Sequence, residues 1–138
     1  MTDRQQRLAV VSLLVPDYDL ALAFYVGKLG FSLIDDLPQC GDKRWVTVRP
    51  PGAGQGCALL LARAVSAAQT AAIGNQTGGR VFLFLETDDF ARDHADMKAA
   101  GVQFEEEPRH EAYGTVAVWR DPWGNRWDLV QFRASVAP

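Results

Sequence analysis

The residue of this 138-residue chain best placed to do chemistry is Asp128, which stands between Trp127 and Leu129 in RWDLVQF, a run with strand character. A carboxylate in an apolar strand is costly to bury alone, so it needs water, a partner or a metal. Other side chains of this kind are few. His110 and Tyr113 lie together in PRHEAYG, read as a loop, and either contact a ligand or are solvated loop residues. His94 shares a predicted helix face with Phe90 and Met97 and reads as a core or helix-flank residue. Cys40 and Cys57 are too few for a disulfide scaffold and lack the paired spacing of a zinc site, so both read as free thiols. No Ser-His-Asp, Cys-His or phosphate-cradling arrangement is visible.

The elements that must position Asp128 recur twice along the chain. In the first half LAVVSLLV (8–15) reads as a buried strand. A helix follows, capped by Asp17, with Leu20, Ala23, Phe24 and Gly27 on one face and Gly30 at its stop. Three more strands come from FSLIDD, RWVTVR and CALLLAR. The second half has the strand RVFLFLE, a helix capped by Asp88 and ended by Gly101, then VQFEEE, TVAVWR and RWDLVQF. Between the last two, Asp121-Pro122-Trp123-Gly124 places Asp, Pro and Gly at the first, second and fourth positions of a type I turn.

The spacing repeats as well as the order. Asp17 to Gly30 and Asp88 to Gly101 each span thirteen positions, and Pro50 and Gly52 precede Pro122 and Gly124 by seventy-two. Repetition at both helix ends and at a hairpin turn points to an internal duplication. One module covers 8–63, a connector 64–79, and a second module 80–133. The connector reads as one or two helical turns ending in a Gly-rich loop, not as an active-site loop.

Composition sets the outer limits. The chain is 48% hydrophobic with charges well mixed, which suits one folded domain or two small modules sharing a core. A net charge of −3 with no concentrated basic face excludes nucleic acid as the main partner. The opening MTDRQQR has no basic-then-apolar leader, and no apolar run approaches the roughly 20 residues needed to cross a bilayer. A cytoplasmic location without membrane contact is the expectation.

Three stretches then carry a family likeness: V-P-D-x-x-x-A-x-x-F-Y-x-x-x-L-G-F (15–31), D-D-F-x-x-x-x-x-x-M-K-x-x-G-V (88–102) and R-D-P-W-G-N-R-W-D-L (120–129). With them the chain resembles the vicinal oxygen chelate superfamily of glyoxalase I, bleomycin-resistance proteins and extradiol dioxygenases. The resemblance implies an α+β fold of two tandem βαβββ modules, their curled mixed sheets forming a half-open barrel around a cavity, commonly as a homodimer. It also implies four metal-ligand positions, carried over here to Val10, Ala58, Val81 and Asp128. Three of these have no donor atom, and catalytic metal sites hold about three protein ligands, so no metal and no cofactor are expected.

Strand alternation lists the side chains sharing a face with those positions: Val10, Ser12 and Leu14; Ala58 and Leu60; Val81, Leu83 and Leu85; Asp128, Val130 and Phe132. Val11, Leu13, Val15, Leu59, Leu61, Phe82 and Phe84 are expected to pack on the helices. Asp128 either orients a ligand or hydrogen-bonds to Ser12 or an arginine. Trp45, Trp119, Trp123 and Trp127 either stack on a planar ligand or fill the core. A two-residue hairpin loop would turn Trp119 toward the cavity, and one more residue would reverse it. The candidate ligand contacts are therefore Asp128, Ser12, Trp119, Tyr113, His110, Leu60, Leu83 and Val130. The function expected is metal-free binding of an apolar or aromatic small molecule; the alternatives are a divergent glyoxalase-type lyase, isomerase or dioxygenase, or an interaction module whose cavity has filled.

Overall fold

A computed structural model describes residues 3–134. β-Branched and leucine-rich runs form β1 (Val10–Val15), β3 (Arg44–Arg49) and β4 (Ala58–Arg63), and with β2 (Ser32–Pro38) they make a sheet in the order β1-β4-β3-β2. The second sheet runs β5-β9-β8-β6, from β5 (Leu83–Glu86), β6 (Gln103–Phe104), β8 (Gly114–Arg120) and β9 (Arg126–Phe132). A short β7 (Arg109–Glu111) also pairs with β8. In each sheet the first and last strands of the module are parallel neighbours and the rest are antiparallel. The architecture is α+β, with the βαβββ order in both halves once β6 and β7, which both pair with β8, are taken as one interrupted strand, and neither sheet is closed into a barrel.

The helices correct the predicted landmarks. The Asp17 carboxylate accepts the Leu20 N–H at 2.8 Å and caps α1 (Tyr18–Leu22), which continues as a π-helix, Ala23–Lys28. The cap of the second module's helix, α3 (Phe90–Ala99), is Asp89 rather than Asp88. Asp88 instead pairs with the Arg92 guanidinium at 2.8 Å. Cap to terminal glycine is thus thirteen positions in one module and twelve in the other. The π-helix, in which Leu29 N–H reaches back five residues to the Phe24 carbonyl at 3.0 Å, takes up the extra residue. Its wider turn also directs two consecutive residues, Phe24 and Tyr25, into the core, while Leu20 is exposed.

One core serves both modules. Leu13, Val15, Val46, Val48, Leu59 and Leu61 enter it from the first sheet, and Ala117, Trp119, Trp127 and Leu129 from the second. Trp119 and Trp127 stack with centroids 4.9 Å apart. Phe24 lies 6.3 Å from Trp119, while Tyr25 and Phe31 lie 5.9 and 6.2 Å from Trp127. The first module's helical segment therefore packs on the second module's sheet. Its contact is fastened by a buried hydrogen bond, Tyr25 hydroxyl to Asp121 carboxylate, at 2.7 Å. Burial pushes the Tyr25 pKa well above the usual phenol value, and the Asp121 charge pushes it further, so the hydroxyl stays a donor.

Asp121 also organises the predicted turn. Its carboxylate accepts the Trp123 and Asn125 N–H groups at 3.0 and 2.9 Å, and the Gly124 N–H closes on its carbonyl at 3.1 Å. The connector, with α2 (Ala67–Ala72) capped by Ser66, lies against this turn. At Gly74 (φ +74°) a Cβ would stand 1.8 Å from the Trp123 carbonyl oxygen, so no other residue fits there unchanged.

Two predicted strands are shorter than their hydrophobic runs. RVFLFLE becomes β5 only from Leu83, leaving Val81 outside it. VQFEEE keeps strand form only at Gln103 and Phe104: the Glu105 N–H still donates to the Val118 carbonyl at 2.9 Å, but the Glu106 carboxylate replaces a backbone acceptor and takes the Val118 N–H at 2.9 Å. Pairing resumes at β7, so His110 lies on a strand rather than in a loop. Glu105 bridges Arg120 and Arg126 at 2.6 and 2.9 Å.

Tyr25→Phe should lower unfolding free energy by about 2 kcal/mol, the loss of one hydrogen bond to a buried charge. Urea midpoints of the two proteins measure this, and an unchanged midpoint would contradict the fastening role.

Candidate functional site

Because Leu59, Leu61, Trp127 and Leu129 face the shared core, their alternating neighbours face away from it. Ser12, Leu60 and Ala62 belong to the outer face of the first sheet, and Asp128 and Val130 to the outer face of the second. The two faces lie on either side of one core, so Asp128 and Ser12 of one chain do not meet. This removes the expected Asp128–Ser12 hydrogen bond.

Hairpin registers re-match the modules. Val48 pairs with Leu59 as Trp119 pairs with Trp127, and Leu13 pairs with Leu61 as Leu85 pairs with Leu129. The counterpart of Asp128 is therefore Leu60, not Ala58, and the residue beside it on β5 is Phe84, not Val81. The offset arises because residues 50–57 link β3 to β4 whereas only residues 121–125 link β8 to β9. The five-residue loop also sets Val118, not Ala117, opposite Asp128. Trp119 is consequently fully buried in the core and does not share the Asp128 face. Leu83 and Leu85 likewise pack on the core, while Phe84, expected to be packed, is 63% exposed on the outer side.

Asp128 is 6% exposed, and its Oδ1 has no hydrogen-bond partner. Val118 and Val130 beside it are buried. Arg109 shares the face through its pairing with Val116 but is engaged by Glu106 at 3.0 Å and Glu111 at 3.0 Å. Burial pushes the Asp128 pKa up; the Arg109 charge opposes this and the Glu106 charge adds to it. His110 shares a hydrogen bond between Nδ1 and Thr115 Oγ1 at 3.3 Å, and the Tyr113 ring lies 6.4 Å from Phe132. His94 stacks on Phe90 and lies 4.4 Å from the Phe104 ring, and burial lowers its pKa.

A cavity of about 550 Å³ opens on the first module instead. That volume is in the range of small-molecule sites. Ser12, Leu14 and Leu60 form its floor and Trp45 one wall. The connector supplies another wall through Val65, Gln69 and Gln76, which the sequence did not signal. Gln76 is fixed there because its amide accepts the Leu14 N–H at 2.7 Å and donates to the Ser12 carbonyl at 3.1 Å, satisfying the free edge of β1.

The donor set does not fit a chelated metal. Among the described residues no three of His, Cys, Asp and Glu converge. The re-matched positions Ser12, Leu60, Phe84 and Asp128 offer one hydroxyl and one carboxylate on separate faces, short of the three ligands such sites take.

Asp128 generates a pH prediction. A folded-state pKa above the unfolded value means the buried charge costs stability at neutral pH, and that cost is relieved as pH falls through the raised value toward the ordinary carboxylate range near ~4. Asp128→Asn should therefore raise the melting temperature at neutral pH, with the gap closing on acidification. A variant less stable than the parent at neutral pH would show that the carboxylate has a stabilising partner.

Comparison with known proteins agrees with this architecture. A Shewanella frigidimarina protein is 54% identical over 92% of this chain and 94% of its own. The crystal structure of UcmS2 superposes with TM-score 0.79 at 30% identity, covering 92% of this chain and 98% of that one. TnmS3, an antibiotic binding protein from Streptomyces sp. CB03234, superposes with TM-score 0.76 at 31% identity over 94% and 98% of the two chains. Residues 7–129 match the sequence profile of one family across nearly the whole length. This chain belongs to the Glyoxalase/Bleomycin resistance protein/Dioxygenase superfamily.

Proposed function

We propose that this protein is a metal-free binder of apolar or aromatic small molecules, acting in the cytoplasm as a homodimer. The observation that carries the reading is the cavity of about 550 Å³ over Ser12 and Leu60, walled by apolar, amide and cationic side chains and without a chelating cluster among the described residues. Such a site holds a ligand by burying its surface and orienting it with a few polar groups. The likeness to a solved antibiotic binding protein supports the same class of activity.

Dimer formation has a physical motive. Val10, Leu37 and Phe84 are exposed apolar residues on or beside the outer faces, and a second copy covering them would bring Asp128 and Val130 of one chain over Ser12 and Leu60 of another. In that arrangement the unpartnered Asp128 Oδ1 accepts a hydrogen bond from the ligand or from Ser12 of the partner. His110 and Tyr113 would then act only at the rim.

A second reading, a divergent metal-dependent lyase, isomerase or dioxygenase, is favoured by one observation: a buried carboxylate oxygen without a partner suits a metal as well as a ligand. Two measurements separate the readings. Expressed with zinc, nickel, manganese or iron supplied, the protein should retain no stoichiometric metal; retention lost in Asp128→Ala would favour the enzyme. In a thermal-shift screen of antibiotics and aromatic acids, at least one compound should raise the melting temperature by several degrees, as a ligand at about 100 times its Kd stabilises by about 2.7 kcal/mol.

A further inference from the structure

The charges around the cavity are one-sided in a chain that is otherwise acidic. Lys and Arg number 14 against 17 Asp and Glu, yet Lys43, Arg44 and Arg63 line the cavity and no carboxylate does. Arg44 is already neutralised, by Asp36 at 2.7 Å and Asp19 at 3.0 Å. Among the described residues, neither Lys43 nor Arg63 has a carboxylate within ion-pair distance.

Arg63 is held in place nonetheless. Its guanidinium lies 5.4 Å from the centroid of the Tyr18 ring, which also carries Arg44 at 5.0 Å. Tyr18 is buried, and its hydroxyl accepts the Arg44 N–H at 3.1 Å, so the ring is a fixed platform. What remains is a cation held on Tyr18 at the end of β4, among the residues that line the cavity. Low-dielectric surroundings strengthen its attraction for an anion, and the planar fork matches a carboxylate, sulfonate or phosphate.

We propose that the cavity takes an anionic ligand with an apolar, planar body, its acidic group bound by Arg63 with Lys43 beside it and its body set against Leu14, Leu60 and Trp45. This rests on the reading of this face as a ligand site and narrows the ligand to organic acids. Neutral hydrophobic molecules of the same shape bind less tightly.

The test uses two fluorescent probes with one shared body, the sulfonate 1-anilinonaphthalene-8-sulfonate and its neutral parent N-phenyl-1-naphthylamine. The parent protein should bind the sulfonate about tenfold more tightly, a difference of about 1.4 kcal/mol, and salt should weaken only that probe. Arg63→Met should erase the preference for the sulfonate over the neutral probe, and Arg63→Lys should retain most of it. Leu60→Trp, which sets a bulkier ring into the cavity, should weaken both. Equal binding of the two probes, with Arg63→Met without effect, overturns the anion inference and leaves the ligand site standing. Failure of both probes to bind, or binding undiminished in Leu60→Trp, overturns the site as well.

Discussion

The structure depends on the buried contact between one module's helical segment and the other module's tryptophans. Phe24, Tyr25 and Phe31 pack on Trp119 and Trp127, and the Tyr25–Asp121 hydrogen bond fixes the register of that packing. Aromatic side chains bring large buried area at low entropic cost, and a polar tip gives the contact direction. Once both sheets share these helices, each sheet's alternate side chains must face outward. The placement of Ser12, Leu60 and Asp128 on outer faces is a geometrical result of where the aromatics are.

Strand order, both helices, the turn at Asp121 and the family were legible in the sequence because each rests on local signals: β-branched runs, caps, glycine stops and turn residues. What the sequence hid was register. Asp88 and Asp89 are both able caps, and only the π-helix explains why thirteen positions in one module answer to twelve in the other. The same ambiguity put Leu83 on the wrong face and left the side of Trp119 open, since a strand shifted by one residue exchanges its two sides. Loop length decided it: a five-residue hairpin sets Trp119 against Trp127 in the core.

The candidate site was legible only in part. Ser12 and Leu60 line the main cavity, whereas Asp128 and Val130 sit on the other sheet and His110 and Tyr113 on a separate edge. The cavity's connector wall and its arginines were hidden for a plain reason. Gln76 reaches β1 across sixty-four positions and Arg63 meets Tyr18 across the fold, and no local pattern announces either. The donor set also depends on register, since the corrected pairing puts Ser12 where Val10 was expected.

The back-to-back arrangement of the modules is tested most directly by a crosslink. With Cys40 and Cys57 replaced by Ser, a chain carrying Ser12→Cys and Asp128→Cys is oxidised and resolved under denaturing conditions. No disulfide should form within a chain, because the two positions lie on opposite sides of one core, and any bridge that forms should join two chains. A monomer closed by an internal disulfide between the two introduced thiols would contradict the arrangement.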